Sequence, residues 1–419
     1  MPILARAPRP VALELTPAEV AAACAHLPGR VFFDTALEGS RGGELSIVAA
    51  EPCEMVCGAT ASDWAALREA VARRAGGPHC DDGLPAGFAA GFVEYGGAFC
   101  FGIYEDALIY RHAEQRWSEI GDLASRLRPG AMVPQPGGPR FAPQLPREEF
   151  CRRVARAQEY IAAGDIYQVN LAHRFAAQWD GDAFAFYEAL RHYSPAPYGA
   201  FLELDGRAIL STSPESFLKI SGRAIRTRPI KGTRPRRAEA DTDALSAYDL
   251  RNSPKETAEL VMITDLERND LGAICEYGSV HVRELLKLES YEHVFHLVST
   301  VEGCLREEVD HISALRACFP GGSITGAPKK RAREIIAELE PEPRGIYTGA
   351  LGWFGFNGES QFNIAIRTVV VESECAHFHV GAGIVADSVP DKEWQETLDK
   401  AAGILLAAER FGEDETIGR

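Results

Sequence analysis

Short apolar runs separated by turn residues make up the first third of the chain. Residues 31–34 and 46–50 predict strands, and residues 87–95 predict a buried strand that ends at a Gly-Gly turn. Residues 16–26 predict a helix, because Thr16 can serve as its N-cap with Glu19 three residues later, the capping-box pattern. The N-terminal portion is therefore expected to mix short strands with helices.

Helical and alternating patterns come in clusters along the rest of the chain. The helical patterns cover residues 147–163, 253–266, 312–317, 328–339 and 392–411, and the first of them ends at Gly164. The strand patterns cover residues 167–175, 198–204, 208–212, 216–220, 345–356, 360–371 and 377–385. Because strands follow strands without strict alternation with helices, the pattern predicts an α+β fold with large, mostly antiparallel sheets.

One stretch breaks this patterning and suggests a division of the chain. Residues 128–147 are rich in proline and glycine and are expected to connect an N-terminal portion, residues 1–127, to a catalytic core, residues 148–412. Residues 413–419 would then form a tail. The same stretch is also compatible with a long surface excursion within one domain.

Charge and cysteine usage narrow the classes of function. The formal net charge of −16 disfavours binding to nucleic acid or to anionic membranes, so an anionic substrate would need local cations or a metal ion. The ten cysteines form no C-x-x-C pair and are expected to be buried thiols in a reducing compartment. No signal peptide or transmembrane run is evident, so we expect a soluble cytoplasmic enzyme.

Two residues on shaped turns are candidates for covalent and acid–base chemistry. Lys231 lies between Pro229 and Gly232, where a fixed turn can direct its amine into a cleft as a nucleophile or base. Glu215 lies between two predicted strands, where a carboxyl group can be kept protonated as a general acid. The alternatives are a surface lysine in a basic loop and a solvent-exposed turn glutamate.

Carboxylates on two predicted helices suggest a metal site. Glu256 and Glu259 share a face of one helix, and Glu396 lies four residues before Lys400 on the last helix. Two carboxylates from separate helices, with water and substrate oxygens, suit Mg²⁺. An ordinary salt bridge between Glu396 and Lys400 is the alternative.

Other candidates are a histidine and two glycine-rich segments. His296 lies on an apolar strand, where it is either a core residue or a catalyst. Residues 319–329 and 381–388 offer bare backbone N–H groups to an anion, although neither matches a phosphate-binding or dinucleotide-binding fingerprint.

Taken in order, these segments resemble the chorismate-utilising enzymes, namely anthranilate synthase component I, aminodeoxychorismate synthase component I, and the isochorismate and salicylate synthases. The resemblance covers residues 145–411 and rests on IKGTRPR, ELVMITDLERNDLG, HLVSTVEG, PGGSITGAPKKRA, IAIRT, GAGIVADS and QETLDKA. It implies large antiparallel sheets packed as a sandwich with helices on the outside.

The resemblance also implies roles for individual residues. Glu259 and Glu396 are expected to hold Mg²⁺, Glu215 to act as the general acid, Lys231 as the nucleophile, and His296 to line the substrate ring. The other expected chorismate-binding residues are Gly232, Thr233, Ser323, Tyr347, Arg367, Gly381, Ala382, Gly383 and Lys400. A tryptophan pocket is expected at Thr35, Pro197, Tyr198 and Gly199, with threonine and glycine where the family usually has serine and a bulkier residue.

Two positions separate the members of the family. Isochorismate and salicylate synthases have a water-activating lysine at the position of Gln168, and a glutamine cannot deprotonate water. Anthranilate synthases have alanine at the position of Lys231, whereas aminodeoxychorismate synthases have lysine. The resemblance therefore favours aminodeoxychorismate formation, in p-aminobenzoate and folate biosynthesis, with anthranilate synthase component I as the alternative.

The source of ammonia and a non-catalytic alternative complete the expectations. The chain shows no G-x-C-x-G elbow of a glutamine amidotransferase and no room for a fused lyase after Lys400, so a separate glutaminase subunit is expected as partner. The remaining alternative is a catalytically silent subunit that senses tryptophan.

Overall fold

A computed structural model describes residues 6–37, 44–76, 83–129, 137–291 and 294–411. Its helices are α1 (Pro17–Ala23), α2 (Ala61–Ala72), α3 (Arg147–Ala162), α4 (Ala183–Tyr193), α5 (Ala240–Arg251), α6 (Pro254–Gly272), α7 (His311–Cys318), α8 (Lys329–Leu339) and α9 (Pro390–Arg410). All six predicted helices are present, as α1, α3, α6, α7, α8 and α9, and Thr16 and Glu19 form the expected capping box at α1.

The strands are numbered in chain order. In the first half they are β1 (Arg9–Val11), β2 (Val31–Asp34), β3 (Leu45–Ala49), β4 (Glu54–Gly58), β5 (Phe88–Val93), β6 (Phe99–Tyr104), β7 (Ala107–Arg111), β8 (Arg116–Ile120), β9 (Ala142–Pro143) and β10 (Gln168–Gln178). In the second half they are β11 (Tyr198–Leu204), β12 (Arg207–Ser213), β13 (Ser216–Ser221), β14 (Ala224–Arg228), β15 (Ile230–Pro235), β16 (His281–Ser290), β17 (Val294–Cys304), β18 (Gly326–Ala327), β19 (Ala350–Gly355), β20 (Glu359–Ile364), β21 (Thr368–Glu372) and β22 (Cys375–Ile384).

The strands form two large antiparallel sheets. The first has the order β1-β8-β7-β3-β2-β11-β12-β21-β22-β10-β18, with β9 paired to β10. The second has the order β15-β17-β14-β13-β20-β19-β5-β6-β4, with β16 paired to β17. The predicted α+β class with large antiparallel sheets is confirmed.

Three apolar clusters explain why the sheets stack and where the helices lie. The cluster that includes Val31, Ile47 and Ile209 of the first sheet with Phe88 and Trp353 of the second fills the space between the sheets. A second cluster packs α1, α4 and α9 on the outer face of the first sheet, and a third packs α2 and α7 on the outer face of the second. The helices thus cover the outside of a two-sheet sandwich, as expected.

The N-terminal and C-terminal portions share both sheets. Strand β2 pairs with β11 in the first sheet, and β5 pairs with β19 in the second. Each sheet is therefore continuous across the two predicted portions. Part of the predicted connector and the predicted tail lie outside the described residues.

The predicted strand over residues 360–371 is wrong in one respect, since the chain forms two strands there. Strand β20 belongs to the second sheet and β21 to the first, and the chain passes between the sheets at Arg367, whose φ is 49°. The sequence pattern does not reveal this crossing, because the residues on both sides of it are largely buried and compatible with one strand. Helices α2, α4 and α5 were not predicted.

The cysteines depart from expectation in two ways. Cys57 of β4 and Cys100 of β6 are paired in the sheet ladder and form a disulfide, so the expectation that all the cysteines are thiols is wrong here. Cys24, Cys275 and Cys318 are buried thiols, as expected. The expected burial is wrong for four other thiols, of which Cys53 is exposed and Cys151, Cys304 and Cys375 are half-buried. Cys80 lies outside the described residues. Within the described residues, no helix has the length and apolarity needed to cross a membrane.

Candidate active site

A cavity of about 670 Å³ opens where the two sheets meet α6 and α9. Its walls come from β10, β15, β17 and β22, from the turn before β13, and from the glycine-rich loop that precedes β18. The polar and charged residues that line it are Asn170, Glu215, Lys231, Thr233, Arg234, Lys255, Glu256, Glu259, His296, Ser323, Tyr347, Arg367, His379, Lys392, Gln395, Glu396, Asp399 and Lys400. Most of the predicted site residues therefore meet in one cavity.

Lys231 reaches the cavity from β15. Its Nζ donates to the carbonyl oxygen of Ser323 at 3.4 Å, and its positive charge acts on the carboxyl groups of Glu215 and Glu259. The next residue, Gly232, has a φ of +69°, and a Cβ there would lie 2.5 Å from Leu250. Glycine is therefore required for the turn that brings the lysine into the cavity.

Glu215 lines the same cavity as Lys231. It is 6% exposed and follows Ser213, whose Oγ accepts the Glu215 N–H at 3.3 Å. Burial raises the pKa of Glu215, although hydrogen bonding to Ser323 and the charge of Lys231 oppose the shift. A buried carboxyl group of raised pKa can hold a proton near neutral pH and deliver it to a leaving group.

His296 is fixed by contacts within the second sheet. Its Nδ1 is 3.0 Å from Thr233 Oγ1 and 3.4 Å from the Gly232 carbonyl oxygen. Burial, and then the charge of Arg367, lower the pKa of His296 to about 4. The imidazole is consequently neutral at physiological pH and can contribute hydrogen bonds to a ligand.

Carboxylates from α6 and α9 face each other across one side of the cavity. Glu259 and Glu393 are buried, and Glu259 Oε1 and Glu393 Oε2 have no hydrogen-bond partner. Lys255 Nζ lies 3.4 Å from Glu393, 4.0 Å from Glu259 and 4.0 Å from Glu396. Buried carboxylate oxygens without partners are costly, and this donor set fits a hard divalent cation such as Mg²⁺.

A bare backbone surface lies opposite these carboxylates. A Cβ at Gly381 would come within 2.8 Å of the Tyr347 hydroxyl and 3.0 Å of Asn170 Nδ2, so a side chain there would fill the cavity wall. Lys400 Nζ donates to the Gly381 carbonyl oxygen at 2.8 Å and pairs with Glu396 at 2.8 Å. Although burial acts in the opposite direction, Lys400 lowers the pKa of Glu396.

Arg367 supplies a half-buried positive charge to the same wall. Partial withdrawal from water lowers the pKa of its guanidinium, and no ion pair joins it to a carboxylate within the part of the chain that the structure describes. A guanidinium that faces the cavity without a carboxylate partner suits the wall to a carboxylate of a ligand.

A family model described as chorismate binding enzyme matches residues 83–406 of the chain. The chain belongs to this family of chorismate-binding enzymes. The match includes all of α6, α9 as far as residue 406, and every residue that lines the cavity.

Individual relatives of the family have two different names. The chain is 44% identical over 304 residues to aminodeoxychorismate synthase component 1 of Bacillus subtilis, covering 72% of this chain and 63% of the relative. It is 41% identical over 318 residues to anthranilate synthase component 1 of Geobacillus stearothermophilus, covering 73% of this chain and 62% of the relative. The matched region thus spans less than two thirds of these relatives.

A solved structure of the family shows the same fold. Anthranilate synthase component I from Streptococcus pneumoniae superposes with a TM-score of 0.77 at 30% identity, covering 87% of this chain and 93% of that one. The menaquinone-specific isochorismate synthase of Escherichia coli has a TM-score of 0.78 at 18% identity, covering 96% of this chain and 93% of that one, which shows a shared fold.

Some residues that the family resemblance singled out lie outside the cavity. The side chain of Ala382 packs into the apolar core between β22 and its covering helices, so only its backbone can face a ligand. Gln168 is buried next to Gly383, where a Cβ would lie 2.6 Å from Gln168 Nε2. Both are structural neighbours of the glycine surface.

The four residues of the expected tryptophan pocket do come together. Thr35, Pro197, Tyr198 and Gly199 line a separate cavity of about 30 Å³, and Trp353 forms part of its wall. An indole ring does not fit in a space of this size without movement of the side chains around it.

Sequence reasoning assigned no role to several residues that complete the site. Lys255 and Glu393 lie four and three residues before the two predicted metal ligands, so their helical spacing was the available signal. Asn170 and His379 line the cavity from β10 and β22, and no local pattern marks them. Arg344 lies behind Tyr347, with its guanidinium 5.8 Å from the ring.

Proposed function

We propose that this chain is component I of an aminodeoxychorismate synthase, a transferase that converts chorismate and ammonia to 4-amino-4-deoxychorismate. The observation that supports this choice is the position of Lys231, whose amine lies in the cavity close to the buried carboxyl group of Glu215. The relatives include both aminodeoxychorismate synthases and anthranilate synthases, so their names do not separate the two activities. The proposal therefore rests on Lys231 as the nucleophile.

The proposed reaction has two displacements. The neutral amine of Lys231 attacks C2 of chorismate, the ring double bonds shift, and the C4 hydroxyl leaves as water after Glu215 protonates it. Ammonia then attacks C4, the bond from C2 to the lysine nitrogen breaks, and the Glu215 carboxylate recovers a proton from the new amino group. The sum is chorismate and ammonia in, aminodeoxychorismate and water out.

Chorismate is a dianion, and the cavity offers a site for each carboxylate. Arg367, Tyr347 and the backbone around Gly381 would bind the enolpyruvyl carboxylate, with Lys400 as a further cation. Glu259 and Glu396 would hold Mg²⁺, which when bound supplies positive charge for the ring carboxylate. His296, Thr233 and Ser323 would then line the ring, with Gly232 shaping the turn beside it.

Ammonia would come from glutamine through a separate glutaminase subunit, so the working enzyme would be a heterodimer in p-aminobenzoate and folate biosynthesis. Hydration by an activated water is disfavoured, because Gln168 occupies the position where an isochorismate synthase has its lysine and cannot act as a base. Free ammonium can replace the partner in an assay.

Incubation of the protein with chorismate, Mg²⁺ and ammonium tests the proposal. The expected product is aminodeoxychorismate, identified by mass spectrometry and by its conversion to p-aminobenzoate after a lyase is added. Fluorescent anthranilate formed without a lyase would instead assign anthranilate synthase component I. The absence of any turnover would favour the silent, tryptophan-sensing subunit.

Lys231→Ala tests the covalent step. We expect this variant to lose aminodeoxychorismate formation while chorismate and Mg²⁺ still bind, as measured by calorimetry. Lys392→Ala is the matched control, because Lys392 is an exposed lysine at the rim of the same cavity. Full activity of the Lys231 variant would refute the covalent role.

A further inference from the structure

The ammonium group of Lys255 lies among the carboxylates of Glu259, Glu393 and Glu396, where a metal ion would be expected to bind. It lies in the first turn of α6, one helical turn before Glu259, and its ammonium reaches across to Glu393 and Glu396 on α9. One nitrogen atom therefore lies within 4.0 Å of carboxylate oxygens from three residues. The three carboxylates stand apart around the ammonium, because among the described residues their oxygens do not all lie within 4.8 Å of one another. A metal ion that drew these oxygens together would compete with the ammonium for them.

Lys255 has three carboxylate neighbours, but its contacts with them are long. Only the 3.4 Å contact with Glu393 is within hydrogen-bond distance, and Glu259 Oε1 has no hydrogen-bond partner although the ammonium is nearby. The Lys255 side chain is 48% exposed, whereas those of Glu259 and Glu393 are 10% and 3% exposed. The lysine can thus leave toward solvent at little cost, but the buried carboxylates cannot remain without a cation.

We propose that Lys255 is a resident counter-ion that balances the charge of the buried carboxylates of Glu259 and Glu393 in the metal-free protein, beside the Lys400 ammonium that pairs with Glu396, and that it is displaced when a divalent cation binds. Mg²⁺ binds oxygen ligands at about 2.1 Å, so it has no room beside an ammonium at the centre of the same oxygens. The displaced side chain moves to the rim of the cavity, which it already lines. Lys255 thereby limits the affinity for the metal. This inference rests on the metal site of the proposed function.

Chemical labelling of the wild-type protein tests the displacement directly. Lysines are acetylated for a short time in EDTA or in saturating Mg²⁺, without chorismate, and modification is measured by peptide mass spectrometry. We expect labelling of Lys255 to increase several-fold with Mg²⁺, while labelling of Lys392 stays constant. Unchanged or decreased labelling of Lys255 in the metal-bound protein would overturn the proposal.

Metal binding by variants tests the competition. By calorimetry, Lys255→Met should bind Mg²⁺ about tenfold more tightly than wild type, equal to about 1.4 kcal/mol. Lys255→Arg, which keeps the charge, and Lys392→Met, which removes a charge from the rim, should both stay near the wild-type affinity. Equal or weaker Mg²⁺ binding by Lys255→Met would refute the displacement of Lys255 but would leave the metal site in place. If none of the proteins, wild type included, bound Mg²⁺, the metal site of the proposed function would itself be refuted.

Discussion

Arg344 connects the core of the protein to the back of the active site, and its replacement by methionine is the most informative test of the fold. The guanidinium is 4% exposed and makes two hydrogen bonds to Glu340, at 2.6 and 2.8 Å. It also donates to the carbonyl oxygens of Asn170 at 2.7 Å and Ile324 at 3.0 Å. Arg344→Met therefore leaves a buried carboxylate and two carbonyl groups without their donor.

The expected loss is large on the scale of protein stability. Removing one partner of a buried ion pair costs about 3–5 kcal/mol, and a folded domain has a total stability of roughly 5–15 kcal/mol. Because Asn170 and Ile324 both line the cavity, the substitution should also shift the site and lower kcat/KM for chorismate about tenfold or more.

Urea unfolding followed by circular dichroism measures the change in the free energy of unfolding. The double variant Arg344→Met/Glu340→Gln is the control, since the glutamine amide oxygen can still accept the Ala172 N–H that Glu340 binds at 2.9 Å. With no unpaired charge left, the double variant should be more stable than Arg344→Met. A loss below about 1 kcal/mol for the single variant, which is typical of an exposed ion pair, would refute this account of a buried network.

Three other outcomes follow from the structure. Because burial raises the pKa of Glu215, turnover should fall as pH rises through that raised pKa and the acid form is lost; Glu215→Gln should have little activity and lack this alkaline limb in its kcat–pH profile. Burial lowers the pKa of His173 and His296 from 6.5 to about 4. Between these two pH values, the unfolded state therefore binds more protons at both histidines than the folded state does. The free energy of unfolding should therefore fall, on acidification below about pH 6.5, by about 1.4 kcal/mol per pH unit for each histidine, and His173→Gln should show a shallower loss in urea titrations. Finally, the cavity of about 30 Å³ beside Gly199 should leave no room for free tryptophan; a calorimetric titration should show no heat, and saturable binding would contradict the cavity size.

Sequence patterns located most of the site because its chemistry depends on residues next to recognisable turns and helices. Lys231 lies two residues after Pro229 and directly before Gly232, and Glu259 and Glu396 lie on helices, so each could be found from local context. The patterns did not reveal Arg344 or Lys255, whose roles depend on partners far away in the sequence. Charged residues on a helix or in a loop are usually solvated, and only the fold shows which of them are buried.

The crossing from one sheet to the other at Arg367 could not be predicted from the sequence for a related reason. Strands β20 and β21 are both largely buried and are separated by residues 365–367 alone, so the segment reads as one strand although its two halves belong to different sheets. The backbone turn between them, with its left-handed φ at Arg367, is what places the arginine in the cavity wall. Periodicity reports the burial of a strand and does not report which sheet receives it.

The interleaved order of the sheets sets a constraint on synthesis by the ribosome. Strands β21 and β22, which end at residue 384, lie between β12 and β10, and β19 and β20 lie between β13 and β5. Until these late segments emerge, the nascent chain carries unpaired strand edges in both unfinished sheets, and such edges promote aggregation. Folding of the protein is therefore expected to be completed mainly after translation, and newly made chains should depend on chaperones that shield those edges.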